Sequence, residues 1–177
     1  PIKMTDKELL ETAILASIDA GKKILSVYNS DDFGIEHKVD ASPLTKADLL
    51  AHQCIAAHLE KTNIPVLSEE GASIPYSQRC AWKNLWIVDP LDGTKEFIKR
   101  NGEFTVNIAL IKDEVPYLGV VYVPVTNMLY WGMENLGSYC YKIETNEPLI
   151  KFDTSNKLPK IKSKPFFTVV ASRSHLS

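Results

Sequence analysis

The apolar positions of the chain change period part-way along it. Up to about residue 61 they recur at helical spacing, and from residue 104 they recur as in strands. Thr5-Asp6-Lys7-Glu8 has the form of a capping box, in which Thr5 caps a helix and Glu8 reaches back to it. Leu10, Ile14, Ser17, Ile18, Gly21, Ile24, Leu25 and Tyr28 then predict one long amphipathic helix ending near Asn29-Ser30. Residues 33–39 suit a short strand, and Asp40-Ala41-Ser42-Pro43 is a turn cluster. A second helix is expected from Thr45 to about Lys61. Its apolar stripe is Leu49, Ile55, Ala56 and Leu59, with Leu50 and Cys54 beside it.

The middle of the chain reads as strands that end in acids. Residues 65–68 form a short apolar strand that delivers Glu69-Glu70, and residues 71–79 a loop with room for one helical turn. The continuous apolar run 85–88 is the pattern of a strand buried on both faces, and it delivers Asp89. A short helix is expected over 94–100. Residues 104–112, 117–123, 128–133 and 138–143 then read as an antiparallel meander. Residues 158–164 form a Lys/Pro-rich connector, and 166–171 a new strand. Two helices followed by a sheet predict an α+β layered fold. The expected organisation is a first domain over 1–158 and the opening of a second over 159–177.

Composition narrows the function classes. The chain has 177 residues, 45% of them apolar and 24% charged, as in ordinary globular domains. A net charge of -2, without polybasic tracts, argues against a nucleic-acid surface. Cys54, Cys80 and Cys140 are odd in number and form no C-x-x-C pair. They exclude a disulfide framework or zinc site and read as small buried hydrophobes in a reducing compartment. No stretch approaches the roughly 20 apolar residues of a membrane span, and no signal-peptide pattern is seen. The expected location is cytoplasmic, or peripheral at the inner membrane face. Pro1, in place of an initiator Met, points to processing or to a start inside a longer chain.

The chemistry gathers around Asp89-Pro90-Leu91-Asp92-Gly93-Thr94. If adjacent strand ends bring Glu69, Glu70, Asp89 and Asp92 together, the carboxylates repel and at least one pKa rises unless a cation joins them. An all-oxygen donor set favours Mg2+ or Mn2+ over zinc. His52 and His58 are six positions apart on one helix and share no face as a ligand pair would. Pro90 biases Asp89 toward an extended conformation, Leu91 offers its carbonyl, and Gly93 lets the backbone approach a ligand closely. Thr94 and Lys95 open a helix suited to an anion. Asp48 is placed to orient and deprotonate an attacking water together with the Thr94 hydroxyl; it reads equally as the acidic half of a capping box with Thr45. Lys95, Lys99 and Arg100 read either as a basic rim for a polyanionic substrate or as an exposed helix face. Trp82, Trp86 and Trp131 read as packing.

Leu67-Ser68-Glu69-Glu70, followed by Trp86-Ile87-Val88-Asp89-Pro90-Leu91-Asp92-Gly93-Thr94, resembles the signature of the inositol monophosphatase-like phosphatases. The continuation from Lys95 to Ile111 is similar to its bacterial branch of 3'(2'),5'-bisphosphate nucleotidases, as is Ser172-Arg173-Ser174-His175. The resemblance implies an αβαβα sandwich with the second domain mostly absent here. It also implies Mg2+-dependent hydrolysis of adenosine 3',5'-bisphosphate, a phosphorylated nucleotide, to AMP and phosphate, which clears a by-product of sulfate assimilation. Carried over, Glu69, Asp89, the Leu91 carbonyl and Asp92 are metal ligands. Glu69, Leu91, Asp92, Gly93 and Thr94 meet the substrate, and Asp48 and Thr94 activate the water. Glu70 is a neighbour rather than a principal ligand. The family has a further metal-binding Asp in a Trp-Asp motif of its second domain, and no such motif occurs before Ser177, so the chain reads as a fragment. Two alternatives remain: an inositol or sugar monophosphate phosphatase, and a non-catalytic metal- and nucleotide-binding module.

Overall fold

The computed structural model describes residues 4–38, 43–144 and 150–160. The expected turn at 40–42, the strand at 166–171 and the Ser172 to His175 motif lie outside them.

Helix α1 (Asp6–Tyr28) begins as its sequence dictates: the Glu8 amide donates to Thr5 Oγ1 at 3.3 Å, and the Thr5 amide donates to Glu8 Oε2 at 2.7 Å. A two-residue strand pair, β1 (Glu36–His37) with β2 (Pro43–Leu44), leads into helix α2 (Lys46–Leu59). The strand expected over 33–39 is therefore much shorter. Phe33 leaves the strand pattern to pack on Phe97, with ring centroids 4.9 Å apart.

The inward face of α2 differs from the expected one. Ala47, Asp48, Ala51, Ile55 and Leu59 are buried, whereas Leu49 is 41% and Leu50 39% exposed. The helix packs on α1, and both helices bury small side chains: Ala47 and Ala51 on α2, and Ala13, Ala16 and Ala20 on α1. This register turns Asp48 inward, and residues one or two positions further on then point outward. Gly21 allows a close approach of α1 to the sheet: a Cβ there would lie 2.5 Å from the Tyr122 ring.

The sheet runs β3 (Val66–Ser68), β4 (Asn84–Asp92), β5 (Thr105–Lys112), β6 (Val115–Val123), β7 (Met128–Met133), β8 (Gly137–Lys142) and β9 (Lys157–Leu158), in that spatial order. β3 and β4 are parallel, and all later neighbours are antiparallel, as the meander predicted. Helix α3 (Tyr76–Arg79) fills the loop before β4, and α4 (Thr94–Ile98) follows it. One sheet face carries Trp86, Val88, Val106, Ile108, Leu110, Val120 and Leu129 into the core with α1 and α2. The opposite face carries Ile87, 43% exposed. β4 is thus covered on one side among the described residues, not on both. An unbroken apolar run does not distinguish these cases.

The α+β layered class is as expected. Trp86 and Trp131 are core residues, with indole N–H groups satisfied by Thr62 Oγ1 and the Tyr141 hydroxyl. Cys140 is buried, Cys54 is half-buried and Cys80 is exposed, so the buried-hydrophobe reading fails at Cys80; all three are free thiols. No described helix is long and apolar enough to cross a membrane.

Candidate active site

Three chain ends converge on the acids. β3 and β4 run parallel in the register Ser68↔Val88, and the Glu69 amide donates to the Val88 carbonyl at 3.0 Å, so both strands release their acids at the same edge. β4 continues through Pro90 and Leu91 to Asp92, with a register shift against β5 between Asp89 and Asp92. Such an irregularity re-aims side chains locally. The chain then turns at Gly93 in the left-handed region (φ 97°), where a Cβ would lie 2.8 Å from the Glu103 carbonyl oxygen. Only glycine fits both the angle and the gap. Thr94 opens α4, a five-residue helix.

The third contribution comes from the start of α2. Asp48 completes a capping box, with the Thr45 amide and hydroxyl donating to its Oδ2 at 2.7 and 2.6 Å. Its Oδ1 accepts the Thr94 hydroxyl at 3.0 Å. The capping-box reading is thus realised on one oxygen, and the other is paired with the Thr94 hydroxyl. Burial pushes its pKa up, against the lowering effect of these bonds. The Leu91 carbonyl lies 3.3 Å from Thr94 Oγ1, within reach of the same hydroxyl.

Asp89 is held differently. Its Oδ1 is buried and has no hydrogen-bond partner among the described residues. Burial, and then the negative charges of Glu69 and Asp92, push its pKa up to about 7. Asp92 accepts from Asn107 Nδ2 at 3.1 Å, and Asn107 Oδ1 in turn accepts from the Thr105 hydroxyl at 3.0 Å.

Lys38, just after β1, completes the acidic edge. Its ammonium donates to Glu69 Oε1 at 3.0 Å and to Glu70 Oε1 at 2.5 Å. Burial opposes its charge, but the bonds to Glu70 and Glu69 outweigh burial and hold its pKa above the ordinary value. Among the described residues, no three acidic, histidine or cysteine side chains converge tightly enough to frame an ion by themselves. The orphaned Asp89 oxygen and the all-oxygen donors nevertheless fit a hard divalent cation, which would satisfy that oxygen and relieve the repulsion.

Sequence reasoning missed Lys38 and Asn107. Asn107 sits opposite Asp89 in the β4–β5 register, a placement that only strand pairing reveals. Lys95 and Lys99 lie exposed on α4 and the turn after it. Arg100 is drawn away from the acids: its guanidinium donates to the Tyr28 and Ser30 carbonyls at 2.7 and 2.6 Å and stacks 4.6 Å from the Phe33 ring. It closes the C-terminal end of α1 rather than a substrate rim.

Residues 5–177 match the profile of the inositol monophosphatase family. Over 129 residues the chain is 48% identical to the 3'(2'),5'-bisphosphate nucleotidase CysQ of Salmonella typhimurium, covering 71% of this chain and 52% of that protein. The same-named protein of Escherichia coli K12 is 47% identical over an equal span. The crystal structure of CysQ from Bacteroides thetaiotaomicron superposes with a TM-score of 0.79 at 47% identity, covering 94% of this chain and 63% of that one. The chain spans about half the length of the curated relatives it matches.

Proposed function

The chain belongs to the inositol monophosphatase family, and on that premise we propose that it hydrolyses the 3'-phosphate of adenosine 3',5'-bisphosphate to give AMP and phosphate. Glu69, Asp89, Asp92 and the Leu91 carbonyl would hold Mg2+ or Mn2+. When bound, the cation neutralises the acids and polarises the phosphoryl oxygens. The observation that carries this reading is the buried Asp89 Oδ1, an acceptor left without a partner where the register of β4 against β5 breaks. The nucleotide substrate is supported by the 48% identity to a relative named for that activity.

The residues of the chain divide the work. The Thr94 hydroxyl donates to Asp48 and so presents its oxygen lone pairs outward, ready to take a proton from the attacking water. Asp48 then receives the Thr94 proton, and its raised pKa makes it the better acceptor. Thr45 fixes the other Asp48 oxygen and so sets the direction of the pair. Water oxygen bonds to phosphorus, the bond from phosphorus to the 3'-oxygen breaks, and that oxygen takes a proton from solvent to become the hydroxyl of AMP, while Asp48 returns its proton to solvent. Gly93 makes the left-handed turn that brings Thr94 to Asp48. On this reading residues 1–158, which include every described strand, form the cation- and phosphate-binding domain, and 159–177 open a second.

A phosphate-release assay on the full-length protein with Mg2+ tests the assignment. A preference for adenosine 3',5'-bisphosphate over inositol monophosphate is expected. Equal rates on both would instead support an inositol or sugar monophosphate phosphatase. Calorimetric nucleotide binding without turnover would support a binding module.

A further inference from the structure

The hydrolytic reading uses neither Lys38 nor Glu70, although both belong to the acidic edge. The Lys38 ammonium lies between two adjacent carboxylates, 3.0 Å from Glu69 Oε1 and 2.5 Å from Glu70 Oε1. The two ends of this bridge are unequal. The Glu70 side chain is 8% exposed, whereas that of Glu69 is 54% exposed. Glu70 is a fixed anchor, and Glu69 is the end open to exchange. Glu69 is also the acid that the proposed function gives to the cation.

We infer that Lys38 is a built-in rival to the divalent cation: it neutralises Glu69 while the site is empty and yields that carboxylate when an ion arrives, remaining on Glu70. The inference rests on the proposed role of Glu69 as an ion ligand. Electrostatics supports it. A lone ammonium cannot satisfy Asp89, whose Oδ1 stays orphaned, but it does lower the repulsion at Glu69 in the ion-free protein. Ion binding must then overcome one existing attraction at Glu69, so Lys38 sets the cation concentration at which the site fills. Lys38 is here a positioning residue, not a catalytic one.

The rival role makes a prediction of opposite signs. Lys38→Met removes the competitor, so Mg2+ should bind about fivefold tighter, the effect of a single partly screened charge contact. Glu70→Gln removes the anchor and leaves the ammonium to Glu69 alone, so Mg2+ should bind about fivefold more weakly. Lys38→Arg keeps the charge and should stay within about threefold of the parent. If Lys38 only braced Glu69 for the ion, Lys38→Met and Glu70→Gln would both weaken binding, because both break the same ion pair.

The measurement is calorimetric titration of Mg2+ into the ion-free full-length protein and these variants, with melting curves to show that each is folded. Tighter binding by Lys38→Met with weaker binding by Glu70→Gln is the expected result. Unchanged or weaker binding by Lys38→Met overturns the inference. Should Asp89→Asn abolish binding while Lys38→Met fails to tighten it, the proposed function stands and the rival role alone falls. Should the parent protein bind no Mg2+, both fall.

Discussion

Asp48 and Asp89 stand at two corners of one site in opposite conditions. Asp48 is 1% exposed, and both of its oxygens are engaged, one by Thr45 and one by Thr94. Asp89 is less buried, yet one of its oxygens has no partner and its pKa is pushed up to about 7. Burial alone therefore does not separate a structural acid from one waiting for a ligand; satisfaction does. A fully bonded acid stabilises the fold in which it sits, whereas a buried acceptor without a donor destabilises it unless something binds there. The Asp48 corner belongs to the architecture and lends itself to proton transfer. On the proposed function, the Asp89 corner is the one that takes the cation.

The largest expected effect breaks the comparison at its unsatisfied end. Asp89→Asn keeps shape and size but removes the charge, so turnover in the full-length protein should fall by more than about 1,000-fold while the fold survives. Phosphate release with saturating Mg2+ reads the first, and circular dichroism the second. Near-normal rates would show that the orphaned oxygen is incidental. Thr94→Ala should act next, lowering kcat by about 100-fold and substrate binding much less, since the hydroxyl is proposed to handle a proton rather than the substrate. A loss confined to KM would place Thr94 in substrate binding instead.

Asp48→Ala tests the satisfied corner. It strands the Thr45 amide and hydroxyl, leaves the Thr94 hydroxyl only the Leu91 carbonyl at 3.3 Å, and removes half of a capping box. The native state should lose about 3 kcal/mol, read as a shift of the denaturant midpoint. Asp89→Asn should show no loss of that size. If the two variants melted alike, the contrast between the corners would be wrong.

Much of this contrast was legible in the sequence, and the rest was hidden for identifiable reasons. The apolar runs of β3 and β4 stop on acids, and Pro90 and Gly93 punctuate the second, so Glu69, Asp89, Asp92 and Thr94 could be named from order alone. Asp48 was visible because a capping box has a fixed local spacing. Lys38 was not. It follows a two-residue exposed strand that carries no period, and it meets Glu69 across 31 positions of chain. Asn107 reads as one more polar position in an alternating strand until the antiparallel register sets it opposite Asp89. The buried face of α2 departs from the apolar stripe because it is lined by the small Ala47 and Ala51, while Leu49 and Leu50 lie exposed. In each case the missing information was a tertiary contact with no local trace.

The smallest predicted effect sharpens the comparison most, because it needs no catalysis. In the unfolded chain Asp89 has an ordinary pKa near 4, and in the fold it is raised to about 7 by burial first and by Glu69 and Asp92 next. Between these values the native state holds a proton that the unfolded state has released, so stability falls as pH rises through that window. Below about pH 4 both states are protonated and the neutral acid is tolerated; above about pH 7 the full penalty of a charged Asp89 with an unbonded Oδ1 is present. Asn does not titrate. In chelator, Asp89→Asn should therefore match the parent protein near pH 4 and exceed its stability at pH 8. The expected gain is about 1–2 kcal/mol once solvent screening of a half-buried group is allowed for. Saturating Mg2+ at pH 8 should reverse the order, since only the parent site would gain from the ion. Melting curves at the two pH values, with and without Mg2+, decide the matter. A variant less stable than the parent at pH 8 in chelator would mean that the ion-free fold already satisfies Asp89, and that its orphaned oxygen is not a vacancy for a cation.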